Sequence, residues 1–146
     1  MSAPTPPRPS SIFLALLATV TYIACVISAW GLISYFLDRS PIENPDAGTL
    51  IGPVMVFTAA VVTFFNLRAL KTMRSPVGRA AVAIATTYLA MVVVVFIGAS
   101  IVVAEVAAGP FLITAALLSG VTVVAVWRYE HPKRPPWRDP REDPGD

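Results

Sequence analysis

Asn66–Arg79, NLRALKTMRSPVGR, is a short basic stretch between two long runs that contain no charged residue. The stretch contains no acidic residue, and its four cations are Arg68, Lys71, Arg74 and Arg79. Lys and Arg in short loops stay in the cytoplasm when the neighbouring apolar segments insert into a membrane. These four residues are therefore predicted to determine the topology, as a cytoplasmic turn from which both flanking segments cross the bilayer.

The composition of the chain is that of a membrane protein. Hydrophobic residues make up 55% of the 146 residues, and charged residues only 14%. Charge-free runs cover residues 11–37, 47–67, 80–104 and 106–127, and each is longer than the about 18 residues that indicate a membrane span. A helix of a soluble bundle needs a polar face, whereas these runs contain only scattered Ser and Thr. The sequence predicts an all-α polytopic membrane protein with four transmembrane helices in a bundle.

Three regions are predicted along the chain. A proline-rich leader covers residues 1–11, a transmembrane domain covers residues 12–129, and a tail rich in proline and charge covers residues 130–146. Leader and tail have the composition of disordered segments. The predicted spans are about 12–37, 50–67, 80–104 and 110–127.

Prolines indicate where two of the helices begin. Pro53 is expected in or near the first turn of the second helix, where its missing N–H costs little; if that helix already begins at Pro45, Pro53 would instead kink it. Gly109 and Pro110 are expected to end the third helix and begin the fourth, because glycine terminates helices and proline starts them.

The distribution of Lys and Arg predicts that both termini are cytoplasmic. The leader, the basic stretch and the tail carry ten of these residues, and the first loop carries only Arg39. This imbalance predicts an N-in, C-in protein. Aromatic residues are expected in belts at the membrane surfaces, and Asn66 is expected as a solvated residue near the headgroups. The residues expected in the two belts are Trp30, Tyr35, Phe36, Trp127 and Tyr129.

The predicted spans contain few side chains that could act in catalysis, proton transfer or metal binding. Tyr22, Cys25 and Tyr88 are the only titratable side chains well within them, and none is suited to carry protons near neutral pH. Cys25, the only cysteine, is interpreted as a small buried residue rather than a lipoprotein cleavage site. No catalytic, cofactor-binding or metal-binding residues are predicted, since no group of residues has a suitable pattern.

Glu105 separates the third charge-free run from the fourth and is the only acidic residue near the predicted membrane core. It is interpreted as a boundary residue at the outer headgroups, because the turn at Gly109 places it near the surface. The alternative is an inward-facing carboxylate that binds a cation or a proton, as intramembrane carboxylates do in many transporters.

Small residues recur at four-residue spacing in three of the spans, which is a pattern that allows membrane helices to approach closely. The pattern fits packing within one bundle and fits a contact with another subunit, and it does not distinguish the two. The predicted helix-packing residues are Thr21, Cys25, Ala29, Ala81, Ala85, Ala116 and Gly120.

The layout of four unequal spans, an acidic first loop, a basic central turn and a charged proline-rich tail resembles uncharacterised four-helix membrane proteins of high-GC bacteria. The resemblance implies a multi-pass protein of the plasma membrane and no activity. The first hypothesis is a non-enzymatic accessory or structural protein that packs against itself or a larger membrane protein, with the lipid bilayer as its surroundings and no nucleic acid as a partner. The alternative is a small oligomeric transporter or channel.

Overall fold

A computed structural model describes residues 11–38, 50–72, 76–98 and 100–131 of the chain. All regular structure in these residues is helical, which confirms the all-α prediction. Four long helices are each long and apolar enough to cross a membrane. In chain order the α-helices are α1 (Ser11–Leu37), α2 (Ile51–Arg68), α3 (Pro76–Gly98), the short α4 (Val103–Ala107) and α5 (Pro110–Glu130).

The helix ends follow from the local residue types. Helix α1 ends before Asp38, which has a positive φ of 50°, a conformation that Asp tolerates better than most residues. Pro53 is the third residue of α2, as predicted, so its missing N–H removes no helical hydrogen bond. Pro110 opens α5 after Gly109, whose φ of −70° and ψ of 151° are those of an extended residue.

Helix α3 is shorter than predicted. It ends at Gly98, and the apolar residues that follow form a 3-10 turn, Ser100–Val102, and then α4. The expectation of one helix through Ala104 is wrong, because apolar character measures transfer into lipid and says nothing about where the backbone turns. Glycine is a poor helix former, and Gly98 also lies close to Ile51, the first residue of α2. The link between α3 and α5 is therefore longer than the tight hairpin predicted at Gly109.

The four long helices form a ring in the order α1, α2, α3, α5. Neighbouring members of the ring pack against each other, and α2 also contacts α5 across it. A core of large side chains extends from the middle of the bundle to the end where α3 meets α4, with Tyr22, Met55, Met91 and Leu112 among its most buried members.

A second core lies at the end formed by the start of α1, the end of α2, the start of α3 and the end of α5, here called the basic end. Its buried residues are Ala15, Leu67, Leu70, Ala83 and Val123.

The outer surface of the bundle is apolar. Large side chains such as Phe57, Leu89 and Ile97 are 70%, 60% and 79% exposed. Surface of this kind fits contact with the hydrocarbon of a bilayer, because lipid, unlike water, does not favour the burial of apolar side chains. Residues 1–10 of the predicted leader, residues 132–146 of the predicted tail and most of the first loop lie outside the described residues, as does Arg74. Ser11 and Glu130, predicted in the disordered segments, are the first residue of α1 and the last residue of α5.

Candidate functional site

Three hydroxyl side chains meet in the middle of the bundle. Thr63 of α2, Thr87 of α3 and Ser119 of α5 are each 0% exposed. Thr63 Oγ1 donates a hydrogen bond to Ser119 Oγ at 3.0 Å, and Thr87 Oγ1 donates to the same oxygen at 3.1 Å. Thr87 is the central residue of α3, so the group lies halfway between the two ends of the bundle.

Tyr22 adds the fourth long helix to this group. Its side chain is 1% exposed, and its hydroxyl donates a hydrogen bond to the carbonyl oxygen of Ala115 in α5 at 3.0 Å. The phenol also lies next to the side chain of Thr63. Tyr22, Thr63, Thr87 and Ser119 are called the hydroxyl cluster below, and each comes from a different long helix.

The chemistry of the hydroxyl cluster is that of a neutral hydrogen-bonded junction. Neither the alcohol hydroxyls of Ser and Thr nor the phenol of Tyr ionises near neutral pH, and each hydroxyl of the cluster has a described partner. Hydrogen bonds between membrane helices contribute about 0.6 kcal/mol each on average, so the three described here contribute about 2 kcal/mol. Their larger effect is on specificity, because the bonds form only when each helix is rotated to bring its hydroxyl to the centre.

No metal-binding group is formed by the residues that the structure describes. Among them, no set of three or more His, Cys, Asp or Glu side chains is close enough to hold an ion. Glu105 lies on the exposed surface of α4, in the link between α3 and α5.

Asn66 joins α2 to α3 at the basic end. Its amide nitrogen donates to the carbonyl oxygen of Val62 at 3.0 Å and to Thr86 Oγ1 at 3.1 Å. Arg79 Nε donates to the backbone oxygen of Asn66 at 3.4 Å. The expectation of a solvated Asn66 is wrong, since the residue is only 6% exposed. Arg79, predicted as a topology determinant, thus also makes a contact between α2 and α3.

Trp30 joins α1 to α5 near the opposite end of the bundle. Its indole Nε1 donates to the carbonyl oxygen of Phe111 at 2.9 Å, and the two rings meet edge to face with their centres 6.0 Å apart. The predicted place of Trp30 in a surface belt is wrong, because it is only 7% exposed. Tyr35 and Phe36 are exposed, at 81% and 77%, as belt residues would be.

The predicted helix-packing residues divide into two groups. Ala116 and Gly120 are buried in α5, where a Cβ added to Gly120 would lie 2.6 Å from Ile84 Cγ1 of α3. The members on α1 and α3 lie outside the core. Thr21, Cys25, Ala81 and Ala85 are exposed and Ala29 is half-buried.

The interpretation of Cys25 as a small buried residue is wrong, because this thiol is exposed. The side of α1 that packs carries larger residues, Tyr22, Val26 and Trp30.

A crevice of about 210 Å³ opens at the basic end between α1, α2 and α5. Five of the seven residues that line it are apolar, and the other two, Arg68 and Glu130, have opposite charges. The guanidinium of Arg68 lies 6.0 Å from the ring centre of Phe64. The apolar residues that line the crevice are Ile12, Leu14, Ala15, Leu67 and Val126.

Sequence reasoning missed the hydroxyl cluster. Thr63, Thr87 and Ser119 belong to no motif, and each is one of several Ser and Thr residues in its span. A usable signal was present for Ser119, which lies near the centre of the apolar run 106–127, where an unpaired hydroxyl is costly. That signal identifies hydroxyls that need a partner, and it does not say which helices supply one.

Comparison with known proteins places the chain in a family. No curated protein and no solved structure matches it. A family model matches residues 7–146, nearly the whole of the chain. The chain therefore belongs to the family of unknown function DUF6121.

Proposed function

We propose that this protein is a non-enzymatic accessory or structural component of a bacterial plasma membrane, which packs against itself or against a larger membrane protein. The observation that carries the proposal is the hydroxyl cluster, whose buried side chains bond to each other and to a helix carbonyl. Transport relays use ionisable side chains that face a cavity, whereas a neutral, satisfied junction fits the fixed packing of four helices. The surface available for function is then the outside of the bundle.

Helix α1 offers the surface that fits a partner best. It packs against α2 and α5 along one side and leaves Thr21 and Cys25 exposed on another. Exposed large side chains surround much of the bundle, but small ones let the backbone of a second helix come close. We therefore assign the contact with a partner helix to the side of α1 that carries Cys25.

The single exposed cysteine gives a direct test of this contact. A photo-activated crosslinker attached to Cys25 in native membranes should yield a product, either a dimer of this chain or a conjugate with a larger membrane protein. Mass spectrometry of the product distinguishes the two cases.

The matched control moves the thiol to the other side of α1. Ile27 is 59% exposed and, at about 100° per residue, lies about 200° around the helix from Cys25 at almost the same depth. Ile27→Cys in a Cys25→Ser background should give little product. Equal products from both positions would show random contact in the membrane and would refute the proposed contact surface.

We further propose that both termini are cytoplasmic. Ten Lys and Arg residues on one side against one on the other support this orientation, and so does the meeting of the start of α1 with the end of α5 at the basic end. Reporters fused after Arg8, within residues 38–49, within residues 68–79 and after Arg128 should read in, out, in and in. An outside signal from residues 68–79 would refute this orientation.

A further inference from the structure

We propose that the crevice at the basic end binds the headgroup of a phospholipid that carries both a phosphate and a primary ammonium, as an ethanolamine lipid does. This inference is independent of the partner contact on α1. It rests on the lining of the crevice, in which an apolar wall from three helices bears one cation and one anion.

The two charges in the crevice are paired neither with each other nor with another charge among the described residues. Arg68 and Glu130 are both exposed, and among the described residues no ion pair within 4.0 Å joins them or engages either one. Arg68 lies near the ring of Phe64, which leaves the guanidinium edge available. Two opposite charges that line one crevice without pairing match a ligand that brings one charge of each sign.

The chemistry of the two side chains selects the headgroup. A guanidinium binds phosphate oxygens through two parallel N–H donors. A carboxylate accepts hydrogen bonds from a primary ammonium, which a quaternary choline cannot donate. An anionic glycerol headgroup would satisfy Arg68 and would be repelled by Glu130. A serine headgroup adds a carboxylate that Glu130 would repel. Of the common headgroups, ethanolamine is thus the one that satisfies both residues.

The size and position of the crevice fit a headgroup rather than a whole lipid. Its volume of about 210 Å³ is below the roughly 300–1,000 Å³ of pockets that enclose a drug-sized ligand. Ile12, Leu14 and Val126 line it and belong to spans whose outer surface fits hydrocarbon. The acyl chains would therefore stay in the bilayer beside these residues while the headgroup enters between Arg68 and Glu130.

The test measures which lipids the full-length protein retains. The protein is released from bilayers that contain equal amounts of ethanolamine, choline and glycerol phospholipids, and bound lipid is counted by native mass spectrometry. We expect ethanolamine lipid to be retained preferentially and Arg68→Gln to lower this retention about tenfold, as expected for loss of one charge-assisted contact. Glu130→Gln should remove the preference for ethanolamine over glycerol lipid.

A nearby cation provides the control. Arg128 is exposed close to Glu130 in sequence but does not line the crevice, so Arg128→Gln should retain ethanolamine lipid like the unmodified protein. Because Arg68 also belongs to the basic stretch, the topology reporters are measured on Arg68→Gln to show that its orientation is unchanged. Arg68→Lys keeps the charge without the planar fork and should recover part of the retention.

Three results would overturn the proposal. The first is preferential retention of glycerol lipid by the unmodified protein, which would indicate a general basic surface. The second is an equal loss for Arg68→Gln and Arg128→Gln. The third is a lack of retained lipid in the full chain together with retention after deletion of residues 132–146, which would mean that the chain's own tail occupies the crevice.

Discussion

The contact between Gly120 and Ile84 allows a quantitative test of how α5 packs on α3. In Gly120→Ala the new Cβ would lie 2.6 Å from Ile84 Cγ1, 2.7 Å from Ile84 Cδ1 and 3.4 Å from the carbonyl oxygen of Ala80. Isoleucine in a helix has one strongly preferred χ1 rotamer, so its side chain cannot turn away freely. Either Ile84 adopts a strained rotamer or the two helices separate by a few tenths of an ångström.

The expected cost of Gly120→Ala is about 2 kcal/mol. Overpacking of a tight interior by a single carbon costs about 1–3 kcal/mol. Separation of α3 from α5 would also stretch the hydrogen bond between Thr87 and Ser119, now 3.1 Å, and such bonds contribute about 0.6 kcal/mol. The free energy of unfolding is measured by titration with a denaturing detergent, followed by tryptophan fluorescence.

Two further variants isolate the cause. Gly31→Ala in α1 is the control, because nothing lies within 4 Å of its added Cβ, and its stability should equal that of the unmodified protein or exceed it by up to about 1 kcal/mol, the helix-propensity gain of alanine over glycine. Ile84→Ala removes both atoms that clash, so the double variant should lose at least 1 kcal/mol less than the sum of the single variants, in the range found for contacting residues. Additive losses, or a Gly120→Ala protein of unchanged stability, would refute the packing argument.

Three other substitutions test two contacts described above and the interpretation of Glu105. Ser119→Ala removes the acceptor shared by two hydroxyls and should lower the free energy of unfolding by about 1 kcal/mol. Its control is Thr122→Ala, which should have little effect because the hydroxyl of Thr122 bonds only within its own helix. Equal losses for the two variants would contradict a role for the cluster. Trp30→Phe leaves the carbonyl of Phe111 without its indole donor and should lower stability in detergent by about 1 kcal/mol or more, which an exposed belt residue would not do. Glu105→Gln should leave expression and association unchanged and should not reproduce any phenotype of the gene deletion. If the variant reaches the membrane and still reproduces the deletion phenotype, the result would favour the transporter hypothesis.

The helices could be predicted from the sequence because lipid imposes a simple demand. A long charge-free run in hydrocarbon must satisfy its own backbone, and only a helix does so within one segment. The basic stretch and the prolines then located both ends of α2 and the start of α5. The end of α3 at Gly98 escaped prediction, since the residues after it are as apolar as those before it.

The partners of individual side chains could not be predicted, because their positions depend on the rotation of each helix. In a soluble bundle a polar stripe reveals the side that faces outward. Here the lipid-facing and core-facing sides are both apolar, so Trp30 and Asn66 were expected at the surface and Cys25 inside. In the structure Trp30 and Asn66 are buried inside the bundle and Cys25 is exposed.

The acceptors of the hydroxyl cluster lie on α5, and this affects the order in which the helices can join during synthesis. Asn66 bonds to Thr86 and Arg79 to Asn66 across separations of only 20 and 13 residues, so α2 and α3 can be joined as soon as both have left the ribosome. The three hydrogen bonds of the cluster all have their acceptor on α5, at separations of 32, 56 and 93 residues. None of them can exist before the last span is made. Until then Thr87 can bond back to its own helix, and Thr63 can bond either to its own helix or to the neighbouring phenol of Tyr22.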